Sequence, residues 1–511
     1  MSLQSLIMLH FGLTRRVMSG LPSSFWHKRG ERLAVRMFRT AAYRVPAYRD
    51  FLSTNGVSPD SVRTIEDFRS TVPVIDKKGY LGRLPLNDYC VDGVLHSAYT
   101  IETSSGNSGT PMLWPRTYEE DFMFPRYMEH ALRQFYQIDK RSTLVILTLA
   151  LGTWTSGEKM AQAIRTTAAK RGYRLTVMTP GVNLQEAVEL ARLVSPHYEQ
   201  TVIVGYPPFV KNVIDEGVAR GIDWPQLGVR LGLGGEGYSE QWREYMARRI
   251  GVPENDLMGI SGGYGAADLG MSVGREYPIT VLIRKLAHKD GELAEALFGE
   301  NGSLPSFLQY NPASFYIEEV DNELVFSVKA GIPLVRYNIH DRGGVIRYDR
   351  AMEIVRDHGY DVIKLLRERG YDRRDVWRLP FFYVFGRSDG TVCISGLNVY
   401  PENVEAALYL PETEMIGSYK LGLDTDEDMN ARLCIWLELC SQHGHCSDRD
   451  LAALEKKLHA VFFAKLTEVN AEFRRAVAAN PVASKPVIRV HRFGEGPFAE
   501  DKTKIKARYV R

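Results

Sequence analysis

Residues 103–111 (TSSGNSGTP) combine glycines with hydroxyl side chains in one short loop. Glycines let a backbone approach a ligand closely, and successive N–H groups together with Ser and Thr hydroxyls can surround the oxygens of an anion. The loop lies between two β-like runs, residues 94–101 and 112–114, and lacks the Gly-Lys-Ser/Thr ending that opens a helix in P-loop proteins. The pattern therefore indicates a phosphate-binding loop of another kind, although its composition also suits a polar hairpin turn without a ligand.

Four further segments rich in glycine, acids and aromatic residues follow in a fixed order. They are residues 234–236 (GGE), 263–268 (GYGAAD), 334–341 (LVRYNIHD) and 386–390 (GRSDG). With the loop, this order resembles the adenylate-forming (ANL) superfamily, and within it the phenylacetate–coenzyme A ligase-like branch. Residues 45–49 (VPAYR), 73–78 (PVIDKK) and 396–405 (GLNVYPENVE) resemble that branch as well. The resemblance extends from about Phe38 to the C-terminus.

The resemblance implies an ATP site, in which the loop holds the phosphates and the later segments hold adenosine. The residues that it assigns to ATP or AMP are Ser104, Ser105, Gly106, Ser108, Gly109, Thr110, Gly235, Glu236, Tyr264, Gly265, Asp341 and Arg387. Asp341 would accept the ribose hydroxyls, since a carboxylate has two oxygens for this task. Related loops often carry Lys or Arg where this chain has Thr110, so backbone N–H groups and serine hydroxyls are expected to hold the phosphates.

The resemblance also implies a metal ligand, a hinge and a catalytic lysine. Asp268 stands where the family has a glutamate that helps to hold Mg²⁺, and Ala267 replaces a hydroxyl residue there. Asp389 corresponds to the hinge of a mobile C-terminal domain. The tail, residues 503–508 (TKIKAR), aligns Lys504 with the catalytic lysine, and Lys506 is the alternative because the family's glycine before this lysine is absent. As an ordinary sequence feature, a lysine-rich terminus is a solvated tail.

The implied activity is the ATP-dependent activation of a carboxylic acid to an acyl-adenylate, followed by transfer of the acyl group to a thiol, above all coenzyme A. The acid would lie against Tyr206, Pro207, Gly262 and Gly263. An amine or a carrier protein as acceptor stays open, as does a homodimer. The changes at Thr110, Ala267 and Asp268 also leave open a degenerate protein that binds nucleotide without turnover.

A succession of short apolar runs and amphipathic segments begins near residue 142 and predicts a mostly parallel sheet covered by helices. The candidate strands are residues 144–149, 175–178, 201–204, 229–233 and 257–260, and the candidate helices are residues 158–171, 184–194, 209–220 and 240–250. A β-rich part with strands at 323–328 and 332–337 follows, then a helical stretch at 351–369. The fold class is therefore α/β, with a large N-terminal domain, residues 1–387, and a small mobile α+β C-terminal domain, residues 388–511.

Size, charge and cysteine content limit the class of protein. A chain of 511 residues is too long to fold around a single hydrophobic core. Its net charge of +2 gives no reason to expect nucleic acid or a membrane surface as partner. Five cysteines without a paired framework suggest reduced thiols and a cytoplasmic protein. One cluster, Cys440, His443, His445 and Cys446, has metal-ligating side chains, but its spacing does not match a common zinc site, and a solvated loop is the favoured interpretation.

Overall fold

The computed structural model describes residues 10–104, 112–152, 155–170, 172–299, 304–388, 390–395, 397–408, 410–440, 446–479 and 485–499. The chain divides into two compact units. Of the described residues, the larger contains those up to Ser104 and Leu113–Gly386, and the smaller contains Met112 and those from Arg387 onward. This division lies one residue before the boundary that the sequence places between residues 387 and 388, so Arg387 falls in the smaller unit. The assignment of separate roles to the two domains stays a prediction.

The larger unit is built around a mixed sheet. In chain order its strands are β1 (Ile75–Asp76), β4 (Thr143–Thr148), β5 (Leu175–Met178), β6 (Gln200–Gly205), β7 (Val229–Gly234), β8 (Ile260–Ala266), β9 (Gly270–Arg275), β10 (Ser306–Tyr310), β11 (Phe315–Val320), β12 (Glu323–Val328), β13 (Leu334–Ile346) and β14 (Phe381–Arg387), while β2 (Thr100–Ser104) and β3 (Met112–Arg116) form a separate pair. The sheet order is β11-β12-β13-β14-β10-β9-β8-β7-β6-β4-β5, and β1 pairs with β13. Strands β5, β4, β6, β7 and β8 are parallel. The predicted α/β fold class is confirmed.

Helices flank this sheet. They are α1 (Phe11–Gly20), α2 (Ser23–Arg44), α3 (Pro46–Thr54), α4 (Ile65–Thr71), α5 (Tyr118–Tyr136), α6 (Thr155–Ala168), α7 (Leu184–Val194), α8 (Pro207–Ala219), α9 (Glu240–Ile250), α10 (Pro278–Lys289), α11 (Gly291–Phe298), α12 (Tyr348–Asp357) and α13 (Val362–Glu368). Local signals set several of their ends. The Asn183 side chain caps α7 and that of Ser239 caps α9, while Pro207 opens α8 at a position where a missing N–H costs nothing. Every helix among the described residues is too short or too polar to cross a lipid bilayer.

Three sequence predictions differ from the structure. Residues 257–260 were expected in a strand, but β8 begins only at Ile260, because the Leu257 N–H donates to the Tyr371 hydroxyl (2.9 Å) instead of to a strand. Residues 351–369 form two helices, since the chain turns at Gly359 with φ 84° and Asp361 caps the second one. Residues 95–97 form a 3₁₀ turn, closed by the Ala98 N–H on the Leu95 carbonyl, before β2 begins.

The smaller unit has its own core. It contains the hairpin β15 (Val392–Ile394) and β16 (Leu397–Val399), the sheet β17 (Ile416–Thr425), β18 (Ala431–Leu439) and β19 (Val487–His491), and the helices α14 (Pro401–Leu408), α15 (Asp448–Val469) and α16 (Ala471–Ala479). Buried amides join its parts: Asn470 donates to the Asn398 carbonyl (2.8 Å) and to the Asn403 side chain (2.9 Å). The motif at 396–405 thus supplies internal hydrogen bonds to this unit. The five cysteines, all within the described residues, form no disulfide.

Candidate active site

The stem of the predicted phosphate loop is the β2–β3 pair. Ser104 ends β2, and its hydroxyl oxygen accepts a hydrogen bond from the Trp114 indole N–H (2.8 Å). This contact uses Ser104 as an acceptor, so its O–H can still donate to a phosphate. The other predicted loop residues, Ser105, Gly106, Ser108, Gly109 and Thr110, lie outside the described residues.

A buried arginine underlies this stem. Arg116, in β3, is 1% exposed and donates through Nε to Glu102 of β2 (2.7 Å) and through Nη2 to the Ala267 carbonyl. The buried ammonium of Lys159 forms ion pairs with Glu102 (3.5 Å) and with Asp121 (3.2 Å). Arg116 therefore ties the loop stem to the turn that precedes Asp268. Nothing in the sequence indicates this contact, since each charge by itself is typical of a solvated face.

The predicted adenine segment and the predicted acid pocket touch each other. Gly235 has φ 83°, and a Cβ added there would lie 2.7 Å from the ring carbons Cδ1 and Cε1 of Tyr206. The Tyr206 hydroxyl lies 3.3 Å from that of Ser156, while Pro207 begins α8 and Glu236 follows in the same loop. Both segments come directly after parallel strands, β6 and β7, whose carboxyl ends share one edge of the sheet.

Two further motifs, far apart in the chain, meet through a hydrogen bond. The Tyr264 hydroxyl donates to Asp341 Oδ2 (2.5 Å), and Asp341 is 7% exposed. The Tyr264 ring packs parallel to Phe326, with centroids 6.1 Å apart, and edge-on to Phe382 at 5.4 Å. Gly265 follows within β8. The structure thus brings together the residues predicted for adenine and ribose, and their roles toward a nucleotide stay predictions.

Asp268 suits the chemistry of the implied Mg²⁺. Its Oδ2 accepts a hydrogen bond from the Tyr337 hydroxyl (2.5 Å), and the residue is partly exposed. A carboxylate offers about four lone-pair positions, so one phenolic donor leaves acceptor capacity for a cation. Because Mg²⁺ is commonly held by one or two carboxylates together with waters and substrate phosphates, one acid at this place fits.

Gly262 and Gly263, predicted to line the acid pocket, lie in β8. Gly263 pairs with Gly234 of β7, and the Gly262 N–H donates to Glu276 Oε2 (2.7 Å). The pairing of Gly263 with Gly234 brings the residues predicted for the acid pocket beside the predicted adenine segment.

The remaining predicted residues belong to the smaller unit. Arg387 is the last residue of β14 and is partly buried. Asp389, Lys504 and Lys506 lie outside the described residues, as do His443 and His445 of the cysteine-containing cluster. In the part of the chain that the structure describes, no group of three or more acidic, histidine or cysteine side chains is placed to hold a metal ion.

Known proteins resemble this chain in sequence and in fold. Phenylacetate-coenzyme A ligase from Aromatoleum evansii is 22% identical over 395 residues, which are 77% of each chain, and the enzyme of the same name from Escherichia coli K12 is 23% identical over 365 residues, 71% of each. A structure of 2-hydroxyisobutyryl-CoA ligase, in complex with 2-HIB-AMP and CoA, superposes with a TM-score of 0.59 at 13% identity, covering 94% of this chain and 89% of that one. The resemblance to the adenylate-forming superfamily is confirmed. No protein-family model matches this sequence.

Proposed function

We propose that this protein is an AMP-forming acid–thiol ligase. In the first step a substrate carboxylate oxygen attacks the α-phosphorus of ATP, so that an acyl–phosphate bond forms and pyrophosphate leaves. In the second step the thiol of coenzyme A attacks the acyl carbon, the thioester forms, and AMP leaves while the thiol proton passes to solvent. The contact between Tyr264 and Asp341 carries the proposal, because it joins two motifs that are 77 residues apart at a buried carboxylate.

Several described residues support the binding part of this proposal. Asp341 offers a fixed acceptor for ribose hydroxyls, and Gly235 offers a flat backbone surface for a purine. The contact of Tyr206 with Gly235 supports an acid bound beside the nucleotide, which would supply the proximity that a two-substrate reaction needs. Mg²⁺ held at Asp268 would neutralise charge on the phosphate oxygens. Lys504 is the proposed cation at the oxygen between acyl carbon and phosphorus.

Coenzyme A is the proposed acceptor for two reasons. The relatives, which the alignment covers over about three quarters of their length, are named coenzyme A ligases, and the superposed structure contains CoA. A flat or apolar acid is the proposed substrate class, supported by the aromatic Tyr206 and the glycines of β8. A cytoplasmic location is part of the proposal and is supported by five cysteines that form no disulfide.

Replacement of Asp341 by alanine tests the proposal. We expect acid-dependent pyrophosphate release by the wild type, measured with ATP, Mg²⁺ and a panel of carboxylic acids, and thioester formation when coenzyme A is added. Asp341→Ala should weaken ATP binding by about 1.5–3 kcal/mol, the scale for hydrogen bonds to a charged acceptor. Asp357→Ala, which removes an exposed carboxylate from α12, is the control and should leave ATP affinity unchanged.

Unchanged ATP affinity of Asp341→Ala in a calorimetric titration would remove this residue from the site. Nucleotide binding by the wild type without acid-dependent release of pyrophosphate would contradict the ligase activity itself and favour a nucleotide-binding protein without turnover.

A further inference from the structure

A buried network of two glutamates and two arginines lies beside β7 and β8. Glu240 is 1% exposed, Arg284 2%, and Glu276 and Arg243 3% each. Arg243 pairs with Glu240 (3.0 Å) and Glu276 (2.6 Å), and Arg284 pairs with Glu240 (2.7 Å). Two positive and two negative charges balance. Buried ion pairs stabilise a fold less than well-packed apolar side chains do, so stability is a weak reason for this network.

The network is attached to the two segments that the site needs. Glu276 Oε2 accepts hydrogen bonds from the Gly262 N–H (2.7 Å) and from the Tyr238 hydroxyl (2.8 Å). The Arg284 guanidinium donates to the Tyr238 carbonyl (2.6 Å). Tyr238 lies three residues after Gly235, and Gly262 belongs to β8. One carboxylate therefore connects the predicted adenine segment with the predicted acid pocket.

The geometry around this carboxylate leaves little freedom. A Cβ added at Gly262 would lie 3.0 Å from the Tyr238 hydroxyl oxygen, so that hydroxyl rests against the backbone of β8. Burial by itself would raise the pKa of Glu276, but the Arg243 and Arg284 guanidinium groups and the Tyr238 hydroxyl together hold the pKa below its usual range. The carboxylate is thus ionised at neutral pH and accepts both hydrogen bonds as a charged, strong acceptor.

We propose that Glu276 and Tyr238 are positioning residues that fix the Gly262 backbone, and with it the acid, relative to the nucleotide. The proposal rests on the ligase function proposed above. Neither side chain has to touch a substrate: Tyr238 holds the carboxylate of Glu276, and this carboxylate holds the amide of Gly262. Loss of the Tyr238 hydroxyl should therefore impair use of the acid and leave binding of ATP intact.

Tyr238→Phe is the principal variant, because it removes one hydrogen bond and no charge, and the ring keeps its packing against Trp242 and Arg243. Tyr173→Phe is the matched control. Its hydroxyl donates to Glu129 (2.6 Å), a carboxylate that also pairs with Lys170, and so repeats the same arrangement away from the site.

Steady-state kinetics at saturating ATP give the first readout. We expect kcat/KM for the acid to fall about tenfold in Tyr238→Phe, as for loss of a hydrogen bond to a charged group. The Kd for ATP should stay within about twofold. Tyr173→Phe should keep wild-type constants. Equal constants in the two variants, or a parallel loss of ATP affinity and acid use in Tyr238→Phe, would overturn the positioning role.

Amide hydrogen exchange gives a second readout that needs no turnover. The Gly262 amide should exchange about tenfold faster in Tyr238→Phe than in the wild type, since the Glu276 oxygen that accepts its hydrogen bond loses the Tyr238 hydroxyl as a partner. It should be unchanged in Tyr173→Phe. An unchanged Gly262 amide in Tyr238→Phe would refute the proposal even if the kinetics changed. A wild type without activity on any acid would contradict the ligase function, while this exchange rate would still decide the positioning role.

Discussion

The contact between Gly235 and Tyr206 can be tested by adding a single methyl group. In Gly235→Ala the new Cβ would lie 2.7 Å from two ring carbons of Tyr206, whereas carbon atoms normally pack about 3.5–4.0 Å apart. The ring must therefore move by about 1 Å. The Tyr206 hydroxyl, 3.3 Å from Ser156 Oγ, would lose that neighbour.

The expected magnitude has two parts. Alanine at a left-handed backbone position costs about 1–2 kcal/mol of folding free energy, and Gly235 has φ 83°. A displacement of about 1 Å in an active site can reduce the rate about 100-fold. Gly235→Ala should therefore lose modest stability and about 100-fold in acid-dependent pyrophosphate release.

Gly221→Ala is the matched control. Gly221 follows α8 with φ 81°, and a Cβ there meets no atom within 4 Å. Its backbone cost is the same, so the two variants should unfold at similar denaturant concentrations while only Gly235→Ala loses activity. Wild-type rates in Gly235→Ala would refute our reasoning about this contact. Equal loss of activity in both variants would assign the effect to stability instead of the site.

Lys504→Ala should slow adenylation about 100-fold, which is the scale for losing one preorganised charge, and should retain ATP binding. If Lys506→Ala alone causes this loss, the alignment of the tail is wrong. Asp389→Pro, which restricts φ to about −65°, should retain one partial reaction and lose the other. Pyrophosphate exchange and thioester formation from supplied acyl-adenylate measure the two steps, and equal loss of both would place the hinge elsewhere. Burial lowers the pKa of His491 below its usual 6.5, so the neutral ring stabilises the smaller unit above that pH and this stability is lost as pH falls. The hydrogen-exchange protection of β19, relative to the intrinsic exchange rate at each pH, should therefore fall as the pH drops below about 6.5, and less so in His491→Phe.

The sequence by itself determined the local elements and the resemblance to the superfamily. Residues 175–178 and 323–328 form strands with the predicted ends, and residues 184–194 and 240–250 form helices with the predicted ends. Apolar runs and side-chain caps decide such elements, because both act within a few residues along the chain. The ordered motifs pointed to the resemblance for the same reason, since each motif is a local segment.

The tertiary structure alone decided which of these segments meet. The bond between Tyr264 and Asp341 depends on the order of strands in the sheet, which local periodicity does not encode. The sequence does not indicate the role of Glu276 beside Gly262, because a glutamate that follows an arginine is typical of a solvated surface. Burial turned that charge into a fixed hydrogen-bond acceptor, and burial is a property of the packed chain.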